Sequence, residues 1–179
     1  MDAAAHRKEL IHILQMAYSG ELAAAYAYAG HWRSLKHSQQ KSDIRKIEND
    51  EWNHRAIVGT MLRELNGKPQ TWREIMMVSI GITAFVGCFA SGWFLPMYFA
   101  GRLENDNTEE YFTAAHHAHE LGLDEMNRNL LELSKVELEH EAFFHQIVQG
   151  HAWLPFMIRA FRWGGPDEIA DARFNQISK

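Results

Sequence analysis

The tetrad Glu-x-x-His occurs at Glu51-Trp52-Asn53-His54 and again at Glu137-Leu138-Glu139-His140. A lone glutamate precedes each copy at nearly the same interval: Glu21 stands 30 residues before Glu51, and Glu104 stands 33 before Glu137. Residues i and i+3 of a helix share a face, so each tetrad can aim a carboxylate and an imidazole at one point. Two helices with one inward glutamate each, and two with Glu-x-x-His, carry the ligand set of a two-metal carboxylate site inside a four-helix bundle. The spacing therefore predicts an all-α fold. It makes Glu21, Glu51, His54, Glu104, Glu137 and His140 the candidate metal ligands.

Sixteen glutamates and eleven histidines generate about one such tetrad by composition alone, so a single match says little. A third match, Glu9-Leu10-Ile11-His12, shares the first helix with Glu21. Nine residues set His12 about 180° around from Glu21, so one helix cannot aim both at one centre, and Glu9 and His12 read as a solvated face. The other two matches fall on separate helices, each after a lone glutamate. Carboxylates with one imidazole per metal and no thiolate suit iron or manganese better than structural zinc, and bridging carboxylates hold paired ions about 3.5–4 Å apart. Glu48, Asp50 and Glu141 are candidates to orient the imidazoles. Tyr28 and Tyr111 each follow a lone glutamate by seven residues, which returns to within about 20° of the same face. Each half thus stacks a tyrosine over its glutamate. These two are the candidates for a catalytic role, although aromatics at this spacing are more often core. His116, His117 and His119 read as a surface or interface cluster.

With 46% hydrophobic and 23% charged residues in 179, the chain suits one domain with a sizeable core. We assign 1–165 to the bundle and 166–179 to a C-terminal tail. A net charge of −5 gives no footprint for nucleic acid. The lone Cys88 excludes an intrachain disulfide framework, and the first residues run into helical sequence without an apolar signal core. The expected place is the cytoplasm, or the periphery of the inner face of a membrane.

No charge occurs from Ile75 to Gly101, a run long enough for a bilayer. Gly81, Gly87, Gly92 and Pro96 are expected to break it into a short helix and the start of a longer one. The plain expectation is a buried hairpin between helices, and the sharper one a surface dipping into one leaflet. A full span is disfavoured, because Glu104 must return to the bundle. Segment 153–163 carries aromatics and two arginines, and fits either an interfacial helix or a packed cap. The remaining helices are expected at Ala3 to Leu35, from a cap at Ser42 or Asp43 to Leu65, from Trp72 to Val86, from Gly92 to Gly122, and from an Asp124 cap to Gly150.

Gly20-Glu21-Leu22-Ala23-Ala24, leading to Tyr28-Ala29-Gly30-His31, resembles the GE-x-x-A and Y-A-G-Q segments of the demethoxyubiquinone hydroxylase family, with His31 in place of Gln. The 30-residue step to the first tetrad, the glycine-rich apolar run before Glu104, and Glu137-Leu138-Glu139-His140 against the family's E-x-E-H extend the resemblance over residues 15–150. Departures are the acidic stretch 105–110 and Ser134-Lys135-Val136 in place of Arg-Asp-Glu. The resemblance implies a ferritin-like four-helix bundle with extra short apolar helices and a centre of two iron ions, with manganese as the alternative metal. It implies O2-dependent hydroxylation of a polyprenyl benzoquinone precursor, one oxygen entering the ring and the other leaving as water. It also implies membrane contact through 75–101 and 153–163. A homo-oligomer would hide the same apolar run. The rival functions are a di-iron oxygenase for another lipid or aromatic substrate, a rubrerythrin-like peroxide or iron oxidase, which here lacks a Cys-x-x-Cys module, and an iron-storing mini-ferritin, which the apolar run argues against.

Overall fold

Ile44, Ile47, Glu51, His54, Val58, Met61 and Leu65 are all buried, and they follow one another in alternating steps of three and four. That rhythm keeps one seam of a helix turned toward its neighbours. In the computed structural model, which describes residues 1–165, this seam faces the centre of a helical bundle. The elements are α1 (Ala3–Ser34), α2 (Ser38–Glu64), α3 (Thr71–Ala90), α4 (Phe94–Glu120), α5 (Asp124–Val148) and α6 (Leu154–Phe161). No strand occurs among the described residues, and the architecture is the all-α, ferritin-like bundle.

The directions follow from cross-helix contacts. Tyr28 of α1 meets Glu104 of α4, and Glu21 meets Tyr111, so α1 and α4 run antiparallel. His54 meets Glu137, and Asp50 meets His140, so α2 and α5 are antiparallel as well. α2 and α4 then point the same way, and α3 is the long crossover that returns the chain between them.

Local chemistry sets the ends. Asp2 caps α1, its Oδ1 accepting from the Ala5 amide at 2.8 Å. α2 begins at Ser38, earlier than the expected cap at Ser42 or Asp43. His37 holds the cap position without a side-chain hydrogen bond, so tertiary packing fixes this end rather than capping. Asp124 lies inside the first turn of α5 instead of capping it, where its charge complements the helix dipole. Pro96 falls in the first turn of α4, where a missing amide hydrogen costs little.

The apolar run departs from expectation in two ways. α3 runs through Gly81, as the expected helix from Trp72 to Val86 does, but continues past Val86 and Gly87 to Ala90, and the break comes only at Gly92, whose φ is +72°. Gly81 serves contact rather than turning: a Cβ there would lie 2.8 Å from the Ala23 carbonyl oxygen, and one on Gly30 would lie 2.4 Å from the Phe85 Cα. The backbones of α1 and α3 touch at these glycines. Nor is the run a buried hairpin. α3 buries only Arg73, Gly81 and Cys88 and turns Ile75, Val86 and Phe89 to the outside at 65%, 62% and 56% exposure. By length and composition α3 could cross a membrane, but it lies along α1 on the flank of the bundle.

The core has two apolar layers. Leu10, Leu14, Val58, Leu62, Ala114 and Leu130 belong to one, and Tyr28, Ile44, Ile47, Met97 and Phe144 to the other. On α1, α2, α4 and α5 alike, the predicted ligands occupy the seam between these layers. α6 closes one end. Leu154, Met157 and Trp163 turn inward while Trp153 and Phe156 stay exposed, so segment 153–163 is both a cap and an apolar surface. The expected tail, 166–179, lies outside the described residues.

Candidate metal centre

Six charged or titratable residues sit at seam positions where apolar side chains would ordinarily pack: Glu21, Glu51, His54, Glu104, Glu137 and His140. All are at most 6% exposed. They form two overlapping groups. Glu21, Glu51, His54 and Glu137 bring ligand atoms within 4.8 Å of one another, and so do Glu51, Glu104, Glu137 and His140. Glu51 and Glu137 are common to both, so they would be shared between two ions held there. Glu21 with His54, and Glu104 with His140, are left as the terminal donors of either position.

The donor set fits a pair of cations. Both carboxylate oxygens of Glu51 and of Glu137, Glu21 Oε2, and the Nδ1 atoms of His54 and His140 are buried without a hydrogen bond. His54 Nδ1 lies 2.9 Å from Glu137 Oε1 and His140 Nδ1 3.3 Å from Glu137 Oε2, yet neither contact has hydrogen-bond alignment. Their lone pairs converge on shared space rather than on one another. Four carboxylates buried together are costly unless cations compensate them. Iron or manganese would be held by these four glutamates and two histidines.

The proton affinities carry the same strain. Burial, then repulsion from neighbouring carboxylates, pushes Glu51 and Glu104 well above the ordinary glutamate range and raises Glu21. Burial opposes ionisation of Glu137 too, but the close approach of the His140 and His54 imidazoles favours its charge and holds it below the usual range. His140 loses affinity by burial and more than regains it from Asp50 and Glu137, reaching about 10. Like charges this close do not all ionise without a counter-charge.

Surrounding groups fix the carboxylates. The Tyr28 hydroxyl donates to Glu104 Oε1, and the Tyr111 hydroxyl to Glu21 Oε1. Each tyrosine thus reaches across the bundle to the other half's glutamate, correcting the expectation that it stacks over its own. Seven-residue spacing sets the face, but a long side chain on an inward face meets the opposing helix. Asp50 Oδ2 stands 3.3 Å from His140 Nε2, and so orients the imidazole of the other tetrad. Glu48 instead accepts from Trp32 Nε1 at 2.6 Å. Glu141 accepts from Asn105 and from Trp163 Nε1, both at 2.9 Å, tying α4 and the closing segment to α5.

Sequence reasoning missed Asn107, whose amide reaches Glu104 Oε2 at 3.3 Å, and Asn105. Both lie in the stretch noted only as acidic. Asn107, three residues after Glu104, was legible as a neighbour on the ligand face, whereas Asn105, one residue after it, meets Glu141 only through the pairing of α4 with α5. Glu9 and His12 are exposed, as expected. In the histidine cluster His116 and His119 are exposed, but His117 is buried with Nδ1 2.9 Å from His6 Nδ1, joining the ends of α1 and α4 far from the centre.

The family described as ubiquinone biosynthesis protein COQ7 matches residues 8–97, half of the chain. The match contains Glu21, Glu51 and His54 and stops short of Glu104, Glu137 and His140. No curated protein and no solved structure matches the chain.

Proposed function

Because the chain belongs to the family of the ubiquinone biosynthesis protein COQ7, we propose that it hydroxylates the ring of a polyprenyl benzoquinol precursor with O2, at a di-iron centre held by Glu21, Glu51, His54, Glu104, Glu137 and His140. One observation carries the reading. The three candidate ligands beyond the family match fold onto the three within it, and the combined set forms two overlapping groups that could each hold a metal ion. Two irons bound there would supply the reduction of O2. The protein's own part is to exclude water between two apolar layers, to hold the bridging positions, and to keep Glu104 and Glu21 oriented through Tyr28 and Tyr111. Burial first, then neighbouring glutamates, raises both tyrosines well above their usual range. Their hydroxyls therefore stay protonated and donate.

An apolar cavity beside Tyr28, whose hydroxyl donates to Glu104, supports a lipophilic substrate. This cavity of about 330 Å³, between α1, α3 and the start of α4, has Tyr28 on its inner wall and Phe99 and Leu103 among its lining. Those two are exposed at 44% and 43%, so the cavity opens onto the apolar flank. A larger cavity of about 640 Å³ at the α1–α2 turn, lined by Leu35, His37 and Trp93, lacks Tyr28, the residue that ties the smaller cavity to Glu104. The test is mass spectrometry of products from iron-loaded, reduced protein given O2 and a short-tailed demethoxyquinol. We expect a product heavier by one oxygen. Iron oxidation with the quinol unchanged would move the assignment to another substrate or to peroxide scavenging.

The same flank is the proposed membrane contact. The outer face of α3 and the exposed aromatics Trp153, Phe156 and Phe161 form an apolar surface of the kind that marks a membrane or partner contact. Phe99 of α4 and Phe161 of α6 meet at 5.1 Å between ring centroids, which joins the two apolar areas. Flotation with phospholipid vesicles should carry the protein up, and serine at Ile75, Val86 and Phe89 together should leave it at the bottom. Equal flotation of the variant would reject this face. Loss of a dimer in the variant, with no flotation of either protein, would assign the face to a second copy.

A further inference from the structure

The cavity beside Tyr28 is apolar apart from four side chains: Tyr28, Cys88, Ser91 and His31. Three of them are engaged. The Tyr28 hydroxyl donates to Glu104, Ser91 Oγ donates to the Gly87 carbonyl at 2.8 Å, and Cys88 Sγ faces the Ala27 carbonyl at 4.0 Å. His31 is different. It is 2% exposed, and its Nε2 is buried without a hydrogen-bond partner. A buried polar atom left unpaired costs free energy, and a satisfied core histidine would show a partner.

The ring is also held in place. It stacks on Phe144 with centroids 6.3 Å apart and planes 15° from parallel, and on Tyr28 at 6.4 Å and 19°. Packing therefore fixes the imidazole plane without using its polar edge. Among the described residues, His31 is thus the one side chain in the wall of an apolar slot with an unused hydrogen-bonding atom; its Nε2 is covered by its neighbours, so a ligand meets it by a side-chain rotamer change of the kind common on binding.

We infer that His31 is the substrate-directed hydrogen-bonding group of this cavity, and that it takes a ring oxygen of an aromatic or quinoid ligand whose apolar chain leaves past Phe99 and Leu103. This rests on the reading of the cavity as the substrate site. Burial lowers the affinity of His31 for a second proton, to about 4, so the ring is neutral at ordinary pH. A neutral imidazole offers one N–H and one lone pair, and so can donate to a quinone oxygen or accept from a quinol hydroxyl. His31 stacks on Tyr28, which bonds Glu104. A ligand oxygen on His31 would thus set the ring's orientation beside the centre, making His31 a specificity-determining residue.

The experiment is binding without turnover. Manganese-loaded protein is titrated by calorimetry with a pentyl-substituted benzoquinone and with pentylbenzene, which keeps ring and tail but lacks the oxygens. Wild type should prefer the quinone by about tenfold, the scale of one net hydrogen bond. His31→Phe keeps a flat ring for Phe144, and should bind pentylbenzene unchanged while losing the quinone preference. His31→Gln, which restores a donor and an acceptor, should regain most of it. A preference that survives in His31→Phe, or is lost equally in His31→Gln, overturns the role of His31 and leaves the cavity as substrate site. Binding of neither ligand by wild type overturns the cavity reading, and the role of His31 with it.

Discussion

Glu137→Ala is expected to lose stoichiometric binding of two irons while the helical fold persists, and Glu51→Ala to behave the same way. These are the two glutamates shared by both ligand groups, so each change removes a donor from both metal positions at once. Loss of a terminal donor such as Glu21 leaves one position intact. The fold should survive because the two apolar layers on either side of the centre share no ligand. Hydroxylation should fall by at least about 100-fold, the upper range for loss of an interaction that tunes a metal site. Glu139→Ala is the control. Glu139 sits in the same tetrad, two residues from Glu137, but is exposed, so both irons and activity should stay. The measurement is iron content by mass spectrometry, with circular dichroism for the fold. Two irons retained in Glu137→Ala would sink the ligand assignment. Glu51→Gln adds a sign that a purely structural role does not predict. Neither Glu51 oxygen has a hydrogen-bond partner, and although His140 lies 3.8 Å away, burial and then the charges of Glu21, Glu137 and Glu104 prevail and disfavour its ionised form. The metal-free Glu51→Gln protein should therefore melt at a higher temperature than metal-free wild type.

The bundle was legible because the ligand residues stand on the helical seam. Glu51 and His54 take the same steps of three and four as Ile47 and Val58, so one periodicity places core and centre together. The partners of the centre were less legible. Tyr28 and Tyr111 are placed on a face by their own helix, but which glutamate they meet depends on how α1 and α4 are paired, a long-range fact. Asp50 meets His140 for the same reason. The apolar run was misread where glycine has two meanings. Gly87 predicts a helix end by propensity, yet α3 continues to Ala90, whereas a glycine under a crossing helix preserves the helix and permits contact, as Gly81 does against Ala23. Sequence cannot separate these readings without the neighbour. Exposure of α3 was likewise hidden, since an uninterrupted apolar composition fits a buried helix and a membrane-facing one alike.

Removing the metal is expected to turn the pH dependence of stability around. In the metal-free protein burial, and then mutual repulsion, raises Glu51, Glu104 and Glu21 above their unfolded value of 4.5. Burial works against the charge on His140, but Asp50 and Glu137 raise it from 6.5 to about 10. Between the unfolded and folded values the native state holds more protons than the unfolded chain, so stability falls as pH rises. The stability contributed by protonated His140 is whole below pH 6.5 and disappears as pH climbs toward about 10. The glutamates lose theirs over a range beginning at 4.5. Glu137 has the opposite sign: its folded value lies below 4.5, so its contribution is present above that pH and is lost in acid. The metal-free protein should consequently be most stable in mild acid, with a melting temperature that declines steadily from about pH 5.5 to 9. Two bound cations reverse the proton balance. They hold the glutamates ionised and the histidines neutral, and binding releases protons, so a higher pH strengthens the loaded state. Melting curves with a chelator and with excess manganese, taken across that range, should diverge as pH rises, the gap between them widest at the alkaline end. Parallel curves, or a metal-free melting temperature that rises with pH, would mean that the buried glutamates are already ionised and paired without metal, and the centre would then be a structural ion network.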